Sequence, residues 1–120
     1  MNNRSRRLAE RLRQELADIV WREMRDPRVA GLSFTAVEVT ADLEHAKVWF
    51  TRMPGSDPAE AEAALRHAAG YLRTELARRM QVRTVPRLNF VYDESVVRAA
   101  RLSELIDQAV AEDRRHHPDD

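Results

Sequence analysis

The sequence predicts an α+β domain in which a three-stranded sheet is covered by helices on one face. The elements follow the order α-β-β-α-α-β, and a short helix ends the chain. Apolar residues recur at three- and four-residue spacing, as in amphipathic helices, in residues 4–24, 58–80 and 103–112. Segments rich in β-branched residues alternate in polarity, as strands do, in residues 33–40, 45–52 and 87–92.

The first helix is predicted from one apolar stripe. It comprises Leu8, Leu12, Leu16, Ile19 and Val20. Pro27 ends this helix, because the residue before a proline avoids helical backbone angles. We therefore expect a turn at Asp26-Pro27-Arg28, extended by Gly31.

The first two strands are predicted to form an antiparallel hairpin. Ser33–Thr40 and His45–Arg52 are joined by Asp42–Glu44, a connection short enough for a hairpin. Along the second strand Ala46, Val48 and Phe50 share one side, and Lys47, Trp49 and Thr51 share the other. Trp49 could stack on a nucleobase or be covered by the protein itself, and the sequence leaves both possibilities open.

The next helix, Pro58–Ala68, follows a capping residue at Ser56 or Asp57, and a proline suits the first helical turn. Gly70 then interrupts the helical pattern, which resumes at Tyr71 and continues to Met80. The pattern predicts either two helices joined at Ala68-Ala69-Gly70 or one helix bent there. We expect a bend at Gly70 that a side chain would resist, so that Gly70→Ala would lower stability.

The third strand, Arg87–Tyr92, is followed by a turn or helix cap at Asp93-Glu94-Ser95 and a last helix over Ser103–Glu112. Asp113–Asp120 is polar throughout, and we expect this tail to be disordered. The 120 residues therefore predict a single domain over residues 1–112.

The composition excludes several classes of protein. The chain has no cysteine, which excludes disulfides, thiolate catalysis and cysteine-ligated zinc. No apolar run approaches the roughly 18 residues of a membrane span, and we expect a cytoplasmic protein.

The net charge of zero conceals an alternation of basic and acidic segments. The segments 1–28 and 66–101 carry +3 and +5, whereas 36–65 and 102–120 each carry −4. If the fold unites the basic segments, they form a face for an anionic partner; otherwise they belong to a mixed, solvated surface.

The sequence shows no catalytic constellation. It contains no phosphate-binding glycine loop, no nucleophile elbow and no histidine pair at metal-binding spacing on a helix. We therefore expect a protein that is not an enzyme, with no cofactor, no metal and no small-molecule substrate.

Three segments resemble the ribosome-binding factor A family, bacterial assembly factors of the small ribosomal subunit. They are RSRRLAERLRQELADIVWREMRDPRV, AKVWFT and HAAGYLRTELARRMQVRTVPRLNFVYDES. The resemblance runs from about Arg4 to Val110 and implies a type II KH-like fold. Where ordinary KH domains carry a GxxG loop, the chain has the family's kink motif, here Ala68-Ala69-Gly70. Arg98-Ala99-Ala100-Arg101 lacks the glycine that the family often carries after the third strand.

The resemblance also implies a function. A monomer would bind the free or immature small subunit through 16S rRNA, aid maturation of the 5′ end of that RNA and support cold adaptation. The candidate RNA-binding residues are Arg4, Arg7, Arg11, Arg66, Arg73, Arg78, Arg79 and Arg83. The alternative is a KH-like regulatory module that binds single-stranded RNA, against which the missing GxxG loop argues.

Overall fold

The computed structural model describes residues 2–116 and all their side chains except those of residues 96, 97, 100 and 112–116. The elements follow the predicted order. They are α1 (Asn3–Arg22), a 3₁₀ turn (Pro27–Val29), β1 (Ser33–Val39), β2 (His45–Thr51), α2 (Pro58–His67), α3 (Ala69–Met80), β3 (Arg87–Tyr92) and α4 (Ser95–His116).

The three strands form one sheet with β2 in the centre. β1 pairs antiparallel to β2, as a hairpin must, and β3 pairs parallel to β2, with Val48 opposite Phe90. A parallel partner requires a crossover, and α2 and α3 provide it. The helices α1, α2 and α3 pack on one face of the sheet, and their largest fully buried apolar side chains meet those of β2 there. They are Leu12, Leu16, Ile19, Val48, Phe50, Leu65, Leu72 and Leu76.

Side chains cap the first two helices as their sequences favour. The Asn2 side chain accepts a hydrogen bond from the backbone N–H of Ser5 at 2.8 Å, at the start of α1. The Asp57 side chain accepts from the backbone N–H of Ala59 at 2.9 Å, and Pro58 occupies the first position of α2. Asp57, and not Ser56, is therefore the capping residue.

The break between α2 and α3 lies at Ala68, which corrects the expected role of Gly70. Ala68 has φ −86° and ψ 0°, and it ends one helix and starts the next. Gly70 lies inside α3 without a positive φ, and a Cβ added to it would meet no atom within 4 Å. The predicted junction at Ala68-Ala69-Gly70 therefore contains the break, at its first residue rather than at the glycine. Leu65 before the break and Leu72 after it are both fully buried in the core.

The last helix is longer than predicted at both ends, because α4 begins at Ser95 rather than Ser103 and continues to His116. Asp93 accepts a hydrogen bond from the backbone N–H of Ser95 at 2.9 Å and starts the helix there. The alanines in Arg98-Ala99-Ala100-Arg101 then favour a helix where a glycine would favour a turn. The backbone of residues 113–116 is thus helical where the sequence predicted a disordered tail, and residues 117–120 lie outside the described residues. The boundary at residue 112 stays a prediction.

The helix α4 leaves its apolar side exposed. Leu102, Leu105, Ile106 and Val110 are between 45% and 62% exposed. The longest dimension of the molecule is 69 Å and the shortest is 19 Å, as expected of a two-layer domain with a helix that projects from it. None of the helices in the described part of the chain combines the length and apolar character that crossing a bilayer would require.

Candidate nucleic-acid interface

Three arginines share the solvent face of α1 near its N-terminus. Arg4, Arg7 and Arg11 follow one another at three- and four-residue spacing, which places them on one side of a helix, and all three are exposed. Within the described part of the chain, none of them forms a hydrogen bond or an ion pair. Their guanidinium groups are therefore available to bind an anion from solution.

The same three arginines border an open cavity of about 350 Å³. Its apolar lining comprises Leu8, Leu12, Leu43, Met80, Val82, Val85 and Pro86. Arg83 lies in the loop that supplies part of this lining, and its side chain is exposed. An apolar floor with a cationic rim matches a nucleotide, whose base has two apolar faces and whose phosphate is anionic.

Arg73, another candidate RNA-binding residue, is bonded to the backbone of a segment that lines this cavity. Its side chain is half-buried, and Nη2 donates a hydrogen bond to the backbone oxygen of Val85 at 2.8 Å. The bond ties α3 to the segment that precedes β3 and fixes one wall of the cavity. The Nε atom of Arg73 is buried and has no hydrogen-bond partner among the described residues.

Arg79 is held inside the protein by three carboxylates on and just beyond α1. Its guanidinium lies 2.6 Å from Asp18, 2.7 Å from Glu23 and 3.3 Å from Glu15. The hydrogen bonds to Asp18 and Glu23 raise the pKa of Arg79 well above its ordinary value. Only 22% of the side chain is exposed, so Arg79 joins α1 to α3 and offers little surface to a partner.

Arg78 and Arg66 are both exposed, but only Arg78 has an ion-pair partner among the described residues. Arg78 is 69% exposed but pairs with Glu75 at 2.5 Å on the same helix, and a pair of this kind is weak enough to exchange for a phosphate. Arg66 is exposed near the end of α2, two residues before the break at Ala68, and has no partner among the described residues.

Of the eight candidate arginines, the structure brings Arg4, Arg7 and Arg11 together beside the loop of Arg83, and it does not join Arg66 to them.

Two acidic side chains elsewhere in the molecule hold a turn and a helix end. Hydrogen bonds from the side chain and backbone of Arg28 lower the pKa of Asp26 at the 3₁₀ turn. Hydrogen bonds from Ser95 and Thr35 lower the pKa of Asp93 at the start of α4. No group of three or more histidine, aspartate or glutamate side chains that could hold a metal ion occurs in the described residues.

The two tryptophans have different environments. Trp49 is half-buried on the sheet face away from the helices, with the Lys47 ammonium 5.0 Å from the centre of its ring, a cation–π contact within the protein. Trp21, which the sequence analysis did not single out, is 86% exposed on α1. The signal that could have found it is its absence from the apolar stripe of that helix.

Comparison with known families gives a consistent result. The family model for ribosome-binding factor A matches residues 4–106. Ribosome-binding factor A of Thioalkalivibrio sulfidiphilus is 51% identical over 120 residues, which covers 98% of this chain and 92% of that protein. The protein of the same name from Pseudomonas fluorescens strain SBW25 is 51% identical and is matched over 95% of this chain and 89% of its own length.

Solved structures agree. The crystal structure of ribosome-binding factor A from Thermus thermophilus is similar with a TM-score of 0.69 and 28% identity, over 76% of this chain and 97% of that one. A homology model of the Thermus thermophilus factor, fitted into the electron cryo-microscopy map of its complex with 30S, gives a TM-score of 0.62 at 29% identity, over 72% of this chain and 91% of that one. The predicted type II KH-like fold is confirmed, and the chain belongs to the ribosome-binding factor A family.

Proposed function

We propose that this protein binds the free or immature small ribosomal subunit through 16S rRNA, assists maturation of the 5′ end of that RNA, and acts in the cytoplasm as a monomer without catalytic activity of its own. The family is one of ribosome-binding factors, and the fitted Thermus thermophilus factor was seen with 30S. The observation that carries the proposal to particular residues is the unpaired cluster of Arg4, Arg7 and Arg11. In a chain of zero net charge, three neighbouring arginines without acidic partners create a local positive potential that favours phosphate.

The mechanism is recognition by shape and charge. The arginines neutralise phosphates of folded rRNA, and the loop around Arg83 and the apolar floor of the cavity accept a sugar or base. Arg73 and Arg79 hold the loop and the helices in position, so the cationic groups are arranged before the RNA arrives. Arg66 and Arg78 extend the proposed contact along α2 and α3.

The test compares two charge variants of the full chain. Arg4→Gln with Arg7→Gln and Arg11→Gln removes the cluster, and Arg87→Gln with Arg98→Gln and Arg101→Gln removes the same charge from exposed positions on β3 and α4. The dissociation constant for purified free small subunits is measured for each variant at several salt concentrations. The cluster variant should bind more weakly, and its slope of log K against log salt should fall by about one for each phosphate that the protein no longer neutralises.

Sedimentation in sucrose gradients identifies the particle that is bound. We expect the tagged wild-type protein to migrate with free small subunits and not with polysomes. Equal weakening by both variants would mean that bulk charge, rather than the cluster on α1, governs binding. Migration with polysomes would favour the alternative of a regulatory module for messenger RNA.

A further inference from the structure

Trp21 is the most exposed large apolar side chain in the described part of the chain, at 86%. It contributes nothing to the core, since α1 buries its opposite side. An indole left almost wholly in water offers a large flat apolar surface that is accessible to a partner.

The position of Trp21 on α1 links it to the arginine cluster. On the side of α1 that is turned away from the core, residues follow one another at alternating three- and four-residue spacing: Arg4, Arg7, Arg11, Gln14, Asp18 and Trp21. Because this spacing averages 3.5 residues and a helical turn has 3.6, Trp21 lies about 100° around the helix axis from Arg4. At 1.5 Å per residue the row is about 25 Å long from Arg4 to Trp21. A strand of RNA that contacts the cluster and winds partly around α1 can reach the indole.

The surroundings of Trp21 are a second groove with an apolar wall and a free cation. The groove has a volume of about 1040 Å³, and its lining includes Val20, Met24 and Phe34 together with Trp21 and Arg25. Arg25 is exposed and has no partner among the described residues. An aromatic plane beside an unpaired guanidinium is an arrangement suited to a nucleobase and its phosphate.

The two acids that also line this groove do not cancel that charge. Asp18 lies 2.8 Å from Arg22 and 2.6 Å from Arg79. Asp26 lies 2.7 Å from Arg28. Both carboxylates therefore have arginine partners within the protein, whereas Arg25 lines the groove without a partner among the described residues.

We propose that Trp21 stacks on an unpaired base of the rRNA and that Arg25 contacts a neighbouring phosphate, which extends the RNA-binding surface along the whole of α1. This inference rests on the proposed function, because it takes the cluster of Arg4, Arg7 and Arg11 as the start of the RNA path. Beyond the proposed function, it assigns an unpaired nucleotide as the ligand of Trp21 and Arg25 at the C-terminal end of α1. Stacking tolerates any base, so the contact provides affinity and position rather than sequence specificity.

The experiment replaces Trp21 by alanine, leucine and phenylalanine in the full chain and measures the dissociation constant for purified free small subunits. Removal of one base stack should weaken binding by about 5- to 150-fold in Trp21→Ala. Trp21→Leu keeps an apolar side chain without a π system and should be weakened similarly, whereas Trp21→Phe should restore most of the affinity. Since the side chain is exposed, all three variants should keep the wild-type thermal midpoint, which excludes a folding defect.

A second measurement uses protein-free RNA. The chain has two tryptophans, so Trp49→Phe leaves Trp21 as the sole indole reporter. A single-stranded adenine hexanucleotide should quench its fluorescence at low salt, and Arg25→Gln should reduce the affinity of that change. Equal binding of subunits by the leucine and phenylalanine variants would indicate an apolar protein contact and overturn the stacking role.

The controls separate this inference from the proposed function. If Arg4→Gln with Arg7→Gln and Arg11→Gln weakens subunit binding while Trp21→Ala does not, the RNA-binding function stands and the stacking inference is wrong. If the wild-type protein fails to bind free small subunits, the proposed function is wrong and the inference with it.

Discussion

The guanidinium of Arg79 on α3 and the carboxylate of Asp18 on α1 form an ion pair between the two helices, with 2.6 Å between Nη1 and Oδ2. Glu15 and Glu23 complete the shell around the same guanidinium. Arg79, one of the candidate RNA-binding residues, is therefore paired with three carboxylates within the protein.

Replacing Arg79 by alanine should lower the thermal midpoint by a few degrees, because three carboxylates would then be left without their shared cation. Arg78→Ala is the matched control, since Arg78 has a single surface partner one helical turn away and such pairs contribute little. Its thermal midpoint should stay within about one degree of the wild type. Equal decreases in the two variants would show that the ion pairs to α1 do not stabilise the fold.

The same ion pairs should make stability depend on pH in the acid range. The hydrogen bond from Arg79 lowers the pKa of Asp18, and those from Tyr71 and Arg79 lower the pKa of Glu23. A carboxyl group whose pKa is lowered by folding stabilises the folded state at pH values above its ordinary pKa. That stabilisation is lost as the pH falls through the lowered pKa of the folded state. Urea unfolding from about pH 6 to pH 3 should therefore show a steeper decline below about pH 4 in the wild type than in Arg79→Ala. If stability fell with pH in parallel in the wild type and in Arg79→Ala, the ion pairs of Arg79 would not be the source of the pH dependence.

Gly70→Ala should stabilise the protein by up to about 1 kcal/mol, the reverse of what the sequence alone suggested. The residue is helical, and its missing Cβ would point into open space. Gly31→Ala is the contrasting variant, because Gly31 has φ +70° and its Cβ would lie 2.7 Å from Cγ of Met53. We expect that change to cost about 1–2 kcal/mol or more. Urea unfolding of both variants tests whether the free energy of unfolding rises in Gly70→Ala and falls in Gly31→Ala.

Ending the chain after Glu112 should leave the free energy of unfolding within about 0.5 kcal/mol of the full-length value. No buried core residue in the described part of the chain lies beyond Val85. Leu76→Ala serves as the positive control, because truncation of that fully buried side chain should cost about 2–5 kcal/mol. A marked decrease in the stability of the shortened chain would mean that the C-terminal segment packs on the domain.

Much of the fold could be predicted because its signals are local. The apolar stripe around Leu12 and the alternation around Val48 are each visible within a few residues. A local signal also predicts the break between α2 and α3 within Ala68-Ala69-Gly70, but not its position at Ala68, since alanine has a high intrinsic helix propensity and glycine a low one. The start of α4 lies before the predicted one because the helix begins directly after the Asp93 hydrogen bond and continues through alanines of high helix propensity.

The candidate site was harder to predict, because pairing between distant residues is invisible in a sequence. Arg79 and Arg4 look alike, but Arg79 meets acids 56 to 64 residues away and Arg4 meets none among the described residues. Arg73 likewise bonds to a backbone oxygen 12 residues along the chain. The sequence therefore shows where the basic segments lie, and only the fold separates the arginines that are paired within the protein from those that have no partner among the described residues.

The parallel pairing of β2 with β3 also dictates the order in which the protein can be completed as it is synthesised. The hairpin of β1 and β2 closes locally, so it can form with α1 as soon as residue 51 is available. Phe90 cannot reach Val48 until α2 and α3 have been made and folded across the sheet. A nascent chain that stalls between these events would present the bare side of β2 as an open strand edge, a site prone to pairing with other chains. The emergence of β3 is therefore the step that covers this edge of β2.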